Sequence, residues 1–340
     1  MMRLLITGGA GFLGSALVRQ ALRRYPDADI AVLDALTYAG SRANLTEVES
    51  GITFIEGDVC DPDVARKAMQ SRTHVINAAA ETHVDRSLSA PGTFLRTNVE
   101  GTRVLLEAAR AAQVERFLQV STDEVYGAVP EPGRSHEGDP LKPSNPYAAS
   151  KAAADLLAGA YRASYGLPVV ITRGANTYGP RQYPEKLVPL FTTNALDGMT
   201  LPLYGDGQQV RDWLHVSDHA AGILTVLDRG ETGEIYNLAG RQERTNAAIA
   251  VRLLQLTDAD PRLLRSVPDR PGHDRRYALD DARARSLGWE PRVCLDDGLA
   301  ETVAWYRDHR AWWERIRESA EFREHWGRVY GRVPVREGFA

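Results

Sequence analysis

Cysteine is scarce in this sequence, which has only Cys60 and Cys294 among its 340 residues. Two cysteines so far apart in the chain indicate neither a disulfide framework nor a cysteine cluster for a metal ion. We therefore expect a protein of a reducing compartment, the cytoplasm, that holds no metal.

Long apolar runs and a strong charge of one sign are also missing. No run approaches the roughly 18 apolar residues that a membrane span needs. The first residues pass directly into an apolar run and a glycine turn, without the features of a signal peptide. A net charge of −4 with a pI near 6.1 argues for neither nucleic acid nor an anionic membrane surface as a partner. With 43% hydrophobic residues, the chain is instead long enough for a large core.

A glycine turn lies between a short apolar run at 3–7 and a segment with helical periodicity at 15–25. Gly8, Gly11 and Gly14 allow a tight turn, a close approach to a pyrophosphate and close packing of helix on strand. The helix start, with Phe12 and Leu13, would offer free N–H groups to phosphates. Strand, glycines and helix in direct succession predict a dinucleotide site.

Asp34 ends the next apolar run, at 29–34, about twenty residues after the glycines. A carboxylate at this place accepts hydrogen bonds from ribose hydroxyls and repels a 2′-phosphate, which favours NAD over NADP. The alternative is a loop or capping aspartate. Further cofactor contacts are predicted where two later strands end, at Asp58, Val59, Ala78, Ala79 and Ala80.

Apolar runs alternate with helical segments through the first half of the chain. The predicted strands lie at 3–7, 29–34, 52–59, from 73, at 116–121 and from 169. Such alternation predicts βαβ units and therefore a doubly wound parallel Rossmann sheet in an α/β protein. We assign residues 1–174 to this NAD-binding domain, with the catalytic residues. Residues 175–340 predict a smaller, interleaved α/β lobe for the substrate, with some segments returning to the first domain.

The stretch STDEVYG at 121–127 places polar residues directly after a predicted strand. The carboxyl end of such a strand is where an α/β sheet usually carries its chemistry. Tyr147 and Lys151 are four residues apart, so on a helix they share one face. An ammonium beside a phenol lowers the pKa of the tyrosine, which makes Tyr147 a candidate base. The alternative for this pair alone is a solvated helix face.

Several basic residues of the second half lie in loop-like contexts, among them Arg211, Arg270 and Arg276. Arginine forks suit diphosphate recognition, although each could equally form a surface ion pair. For His83 the sequence permits two interpretations equally, a substrate contact or a polar loop residue. The tail from about 305, with Trp312 and Trp313, predicts one or two packed helices.

Eight motifs together go beyond a generic nucleotide fold. They are TGGAGFLGS at 7–15, DALTYAG at 34–40, AAETHVDRS at 79–87, STDEVYG at 121–127, SNPYAASK at 144–151, YGPRQYPEKLVP at 178–189, GDGQQVRDWLHVSDH at 205–219 and RPGHDRRYALD at 270–280. Through them nearly the whole chain resembles the extended short-chain dehydrogenases/reductases. Within these it is most similar to the nucleoside-diphosphate-glucose 4,6-dehydratases, above all the dTDP-glucose enzymes.

This resemblance implies roles for individual residues. Thr122, Tyr147 and Lys151 match the superfamily's catalytic triad, and Asp123 and Glu124 match the dehydratase acid and base. Contacts to the sugar nucleotide are implied at Thr82, His83, Asn176, Lys186, Leu187, Arg211, Arg270 and His273. The implied reaction oxidises C4 of the sugar, eliminates water across C5 and C6, and reduces C6 with the same tightly bound NAD.

The resemblance also implies a homodimer, formed through the helix of Tyr147 and the one near 93–113. Two related enzymes are the alternatives, a UDP-sugar 4-epimerase and a UDP-glucuronate decarboxylase, and the pair Asp123 and Glu124 argues against both. A non-catalytic NAD-binding protein is disfavoured because the Tyr and Lys are kept. Departures from the family pattern at Thr82 and at 174–177 leave the hexose and the choice of dTDP-glucose or UDP-glucose open.

Overall fold

A seven-stranded sheet forms the centre of the computed structural model, which describes residues 1–331. The strands of the described chain are β1 Arg3–Thr7, β2 Asp29–Asp34, β3 Thr53–Glu56, β4 His74–Asn77, β5 Arg116–Thr122, β6 Val169–Gly174, β7 Asn176–Tyr178, β8 Leu201–Tyr204, β9 Val210–His215, β10 Ile235–Leu238, β11 Glu243–Thr245 and β12 Leu264–Val267. The central sheet has the order β10-β6-β5-β4-β1-β2-β3, and its pairs are all parallel. The predicted doubly wound parallel sheet is confirmed.

The strands are apolar because helices cover both faces of the sheet. In β1, Leu4 and Ile6 pack into one apolar cluster while Leu5 packs into another, as the alternation of side chains along a strand requires. All three are fully buried. This burial on both sides holds the carboxyl ends of the strands in line at one edge.

Helices connect the strands and build the second half. They are α1 Phe12–Arg24, α2 Pro62–Met69, α3 Val84–Ser89, α4 Pro91–Phe94, α5 Gly101–Ala111, α6 Pro146–Tyr165, α7 Leu187–Leu196, α8 Val216–Arg229, α9 Asn246–Thr257, α10 Ala282–Ser286, α11 Leu295–Asp308, α12 Arg310–Arg317 and α13 Ala320–Tyr330. A π-helical stretch, 95–100, joins α4 to α5. None of the helices in the described chain is long and apolar enough to cross a membrane.

Beyond β6 the chain forms smaller sheets, β11-β9-β7 and β12-β8. A third apolar cluster joins them to α7, α9 and α11. Two later elements contact the first half, since β10 pairs with β6 and α8 packs on α1. The domain boundary at 174/175 stays a prediction.

One strand differs from the sequence-based expectations. The third strand is Thr53–Glu56, shorter than the predicted 52–59, because the chain then forms a turn over Val59 and Cys60 that is closed by the Asp61 N–H donating to the Asp58 carbonyl at 3.0 Å. The tail from about 305 follows the end of α11 with two helices, α12 and α13, in agreement with the one or two packed helices expected there. Trp313 is fully buried there and donates from Nε1 to the Tyr306 carbonyl at 2.7 Å.

Candidate active site

A cavity of about 430 Å³ runs along the carboxyl ends of the central strands. Sequence-predicted residues that line it are Gly8, Gly11, Phe12, Leu13, Gly14, Asp34, Asp58, Val59, Ala78, Ala79, Ala80, Thr82, Thr122, Asp123, Glu124, Tyr147, Lys151, Asn176, Lys186 and Leu187. The fold thus brings residues from both halves of the sequence to a single concave site.

The glycine turn at one end of the cavity has no room for side chains. Gly8 has a φ of +69°, and a Cβ there would lie 2.7 Å from the Ala79 Cα. A Cβ on Gly14 would lie 2.0 Å from the Gly8 carbonyl oxygen. Gly11 is the N-cap of α1. The helix N-terminus therefore opens on the cavity with bare backbone, a geometry that suits a phosphate group.

Asp34 and Asp58 lie near this end. Asp34 is buried and accepts hydrogen bonds from the N–H groups of Ala10, at 2.9 Å, and Leu36, at 2.8 Å. Burial raises its pKa, while both hydrogen bonds act in the opposite direction. Asp58 pairs with Arg96 at 2.6 Å. Arg96 also lines the cavity, and sequence analysis did not single it out.

The two carboxyls of the opening motif lie in one short turn. Thr122 ends β5, and its hydroxyl caps the 3₁₀ turn 123–126 by accepting from the Glu124 N–H at 3.3 Å. The same hydroxyl donates to Asp123 Oδ1 at 3.1 Å, and Asp123 Oδ2 is buried without a hydrogen-bond partner. Burial first, and then the charge of Glu124, raise the pKa of Asp123 to about 8. Asp123 is therefore protonated at neutral pH.

Glu124 is oriented by Asn145, which donates from Nδ2 to Oε2 at 3.3 Å. The Asn145 side chain also caps α6, since its Oδ1 accepts from the Ala148 N–H at 2.9 Å. Sequence analysis missed Asn145. Its signal was present, because Asn before a Pro in the first helical turn is a typical helix start.

Tyr147 and Lys151 share one face of α6 and are both buried. The expected lowering of the Tyr147 pKa is wrong for this structure: burial, followed by the charge of Glu124, raises it far above its usual value. Lys151 is not among the groups that shift the Tyr147 pKa here, and its ammonium donates to the Val120 carbonyl at 2.6 Å. Burial also lowers the pKa of Lys151, to about 8. The Thr122 hydroxyl hydrogen-bonds Tyr147 and acts in the direction of a lower pKa.

Four predicted substrate residues do not line the cavity: His83, Arg211, Arg270 and His273. His83 is buried, donates from Nε2 to the Glu185 carbonyl at 3.3 Å and packs on His325, and its role as a substrate contact stays a prediction. His273 pairs with Asp269 at 2.6 Å.

The two arginines of this set, Arg211 and Arg270, make contacts within the protein, and both lie on the Glu124 side of the site. Arg211 donates to the Asp274 carbonyl at 2.9 Å and stacks on Tyr277. Arg270 pairs with Asp85 at 3.0 Å. The charge of Glu124 acts on both guanidinium groups. Arg276, the third arginine noted from the sequence, pairs with Glu243 at 2.8 Å.

Comparison with known proteins agrees with this geometry. Residues 4–239 match the model of the NAD dependent epimerase/dehydratase family. A dTDP-glucose 4,6-dehydratase of Streptomyces niveus is 50% identical over 327 residues, which cover 94% of this chain and 97% of the relative. The chain belongs to the dTDP-glucose 4,6-dehydratase family.

Solved structures extend the comparison. The crystal structure of DesIV, a dTDP-glucose 4,6-dehydratase of Streptomyces venezuelae with NAD and dTDP bound, has a TM-score of 0.90 at 51% identity. It covers 93% of this chain and 100% of that chain. A UDP-glucose 4-epimerase of Thermus thermophilus in complex with NAD has a TM-score of 0.85 at 35% identity, with 91% and 100% covered. The fold is thus shared across the epimerase/dehydratase family.

Other cavity residues of this dehydratase-family chain were not found from the sequence. They include Glu81, Thr93, Thr97, Gln182, Tyr183, Glu185, Trp213 and His219. Glu81 illustrates how such residues are placed, because its backbone N–H donates to Asn98 Oδ1 at 2.9 Å and its carbonyl accepts from Asn98 Nδ2 at 3.0 Å. These contacts join parts of the chain that no local pattern connects.

One group in the described chain has the side chains of a metal site: His83, Glu185 and His325. Arg86 already donates to Glu185 at 2.8 Å. Burial, and then the positive charges of Lys186, Arg270 and Arg86, lower the pKa of His83, and these charges disfavour a further cation. The expectation of no metal stays a prediction, and the charges around the cluster support it.

Proposed function

We propose that the chain converts dTDP-glucose to dTDP-4-keto-6-deoxyglucose with a bound, recycled NAD, as a hydro-lyase. The observation that carries this proposal is the pair Asp123 and Glu124 on the turn after Thr122, in the same cavity as Tyr147 and Lys151. Oxidation alone needs the triad of Thr122, Tyr147 and Lys151, whereas elimination needs an additional acid and base.

The residues that line this cavity are suited to bind NAD. The bare backbone around Gly8 and Gly14 leaves space for a pyrophosphate at the start of α1. Asp34 presents a carboxylate where a ribose diol would be recognised. When bound, NAD supplies the hydride acceptor and donor and a positively charged ring that favours the phenolate of Tyr147.

In the first step, Tyr147 takes the proton of the C4 hydroxyl as hydride leaves C4. Thr122, which hydrogen-bonds the phenol, positions the same hydroxyl. Lys151 holds the cofactor ribose and supplies positive charge on the Tyr147 face of α6. The resulting C4 ketone makes the C5 proton acidic.

In the second step, Glu124 removes the C5 proton while Asp123 donates its proton to the C6 hydroxyl, which leaves as water. The raised pKa of Asp123 keeps this proton available at neutral pH. Asn145 donates to Glu124 Oε2 at 3.3 Å and so orients the base. In the third step, hydride returns to C6 and a proton returns to C5, so NAD is regenerated.

Product mass tests the proposal. The holoenzyme is incubated with dTDP-glucose and, separately, with UDP-glucose, and the masses of the products are measured by mass spectrometry. We expect loss of one water from dTDP-glucose, with UDP-glucose reacting more slowly. An unchanged mass with a new retention time would show epimerisation and overturn the dehydratase proposal. Faster water loss from UDP-glucose would overturn the choice of base alone.

We also infer a homodimer and a cytoplasmic site of action. Leu95, Leu156 and Tyr165 expose more than half of their surface and lie on or beside α5 and α6, the helices named by the resemblance. Cys60 and Cys294 are both free thiols, as a reducing compartment permits. Size-exclusion chromatography with light scattering measures the dimer directly.

A further inference from the structure

The Lys151 ammonium is buried with little to balance its charge. Lys151 is only 5% exposed, and its ammonium donates a hydrogen bond to the Val120 backbone carbonyl. A carbonyl dipole compensates a buried ammonium only in part, and an uncompensated buried cation tends to lose its proton. A nearby negative charge is therefore needed if Lys151 is to act as a cation.

Asp155 provides that charge. It lies four residues after Lys151 on α6, so the two side chains share one helix face. It is 3% exposed, and its negative charge acts on Lys151 in the direction that retains the proton. The pair is thus shielded from water and from salt.

Asp155 is held in place from the neighbouring strand. Arg173 on β6, 3% exposed, donates from Nε to Asp155 Oδ2 at 2.9 Å. The other carboxylate oxygen, Oδ1, is buried without a hydrogen-bond partner. Burial raises the pKa of Asp155, while the charges of Arg173 and Lys151 act in the direction that keeps the carboxylate ionised.

Arg173 also reaches the catalytic turn. Its Nη1 donates to the Tyr126 hydroxyl at 2.8 Å, and Tyr126 ends the turn that carries Asp123 and Glu124. The Tyr126 hydroxyl in turn donates to Asn237 Oδ1 at 2.9 Å. One buried network therefore connects the helix of Lys151 to the turn of the two carboxyls.

We propose that Asp155 is a positioning residue of the reaction, which acts through Lys151 by keeping its ammonium charged, while Arg173 connects Asp155 to the catalytic turn. The proposal rests on the proposed function, because the role of Lys151 is taken from there. Asp155 itself does not line the cavity.

The charged and titratable groups near Lys151 come from several elements. Those that face this part of α6 are Tyr147 and Asp155 on the helix, Arg173 on β6, and Asp123 and Glu124 on the turn. Glu107 on α5 meets the helix further along, at Tyr161. Among them, Asp155 is the group whose charge acts directly on Lys151.

The test is the pH dependence of the first step in the Asp155→Asn holoenzyme. Mixing with dTDP-glucose in a single turnover and following reduced nicotinamide by absorbance isolates the oxidation, which does not use the acid Asp123. A lysine is charged only below its pKa, so loss of the carboxylate should move the high-pH fall of this rate to lower pH, by about one unit. NAD affinity at pH 8, measured by calorimetry, should fall several-fold.

Two further variants separate charge from structure. Asp155→Glu keeps the carboxylate, so its oxidation rate should fall at the same high pH as that of the wild type. Glu137→Gln changes another buried carboxylate of the same region, whose Oε1 accepts from the Asn237 N–H at 3.0 Å. This variant should lower the melting temperature without changing the pH at which the oxidation rate falls. A folded Asp155→Asn enzyme whose oxidation rate falls at the same pH as that of the wild type, and whose NAD affinity is unchanged, would overturn the proposal.

If Asp155→Asn does not fold, the double variant Asp155→Asn with Arg173→Met removes both charges and avoids an unpaired guanidinium. The same shift is expected there, and its absence would equally refute the positioning role. Failure of the proposed function is distinguishable, because the wild type would then release no water from dTDP-glucose. The pH dependence of NAD affinity would still decide the role of Asp155.

Discussion

Asp123 and Glu124 are adjacent in the chain but have different surroundings. Asp123 is 3% exposed with one unpartnered oxygen, whereas Glu124 is only partly buried and accepts from Asn145. Burial, and then the charge of the adjacent Glu124, raise the pKa of Asp123 to about 8. The structure therefore favours the protonated form of Asp123, as its role of acid requires.

The Asp123→Asn variant tests this assignment. It should oxidise C4 normally but lose water 10²-fold or more slowly, because the general acid is absent. Reduced nicotinamide should therefore accumulate on the enzyme, which absorbance measures. Water loss at the wild-type rate would remove Asp123 from the role of acid.

The pH dependence of the wild type follows from the same group. The pKa of Asp123 is raised to about 8, so its proton is present below that pH and is lost as pH rises through it. Elimination should accordingly slow above pH 8. In the unfolded chain the same carboxyl ionises at its usual lower pKa, so unfolding releases a proton between that pKa and about 8. The stability of the wild type should therefore fall as pH rises through this window and level off above about 8. Asp123→Asn should show a smaller loss of melting temperature between about pH 5 and 8 than the wild type does.

At the scale of single elements, the β1-to-α1 turn is defined by contacts that exclude a side chain. In Gly14→Ala the new Cβ would lie 2.0 Å from a backbone oxygen, which cannot move without displacing the turn. We expect the melting temperature to fall and NAD affinity to drop at least tenfold, as measured by calorimetry. Gly327→Ala, in α13 with nothing near its Cβ position, is the control and should not weaken NAD binding.

The start of α6 joins helix stability to the site, because Asn145 caps the helix and also contacts Glu124. Asn145→Ala should cost about 1 kcal/mol of unfolding free energy and also slow the elimination. Thr245→Ala removes the cap of α9, whose hydroxyl accepts from the Ala248 N–H at 3.1 Å. It should lower stability to a similar extent with unchanged turnover. Equal turnover in both variants would contradict a role for Asn145 at the site.

At the scale of the whole molecule, Arg86 on α3 joins three distant parts of the chain. It pairs with buried Glu185 at 2.8 Å, pairs with Glu321 of α13 at 3.0 Å, and lies 3.8 Å from the Tyr38 ring centre. These contacts connect the cofactor-side loop of Tyr38 to the segment that begins α7.

Arg86→Met should therefore destabilise the fold by about 3–5 kcal/mol, because it leaves the Glu185 carboxylate buried and unpaired. Denaturant unfolding measures this loss. Arg66→Met breaks an exposed pair with Asp63 and should change stability by less than about 1 kcal/mol. A loss for Arg86→Met as small as that of the control would show that Glu185 is otherwise compensated.

Local patterns in the sequence were sufficient for the strands, the glycine turn and the spacing of Tyr147 and Lys151. Each depends on residues close together in the chain: apolar runs, glycines at fixed spacing, and two side chains four apart on a helix. The parallel sheet and the family followed from these, and both are confirmed. The carboxyl pair of Asp123 and Glu124 was also visible, because the two residues are adjacent.

Only the tertiary structure decided the environments. The pKa of Tyr147 rises because the phenol is buried and Glu124 is close, while the Lys151 ammonium one turn away contacts a carbonyl on β5. His83 is turned to a buried cluster with Glu185 and His325, about 100 and 240 residues further along the chain. Burial and long-range contacts depend on which distant segments meet, and a local pattern contains no information about that.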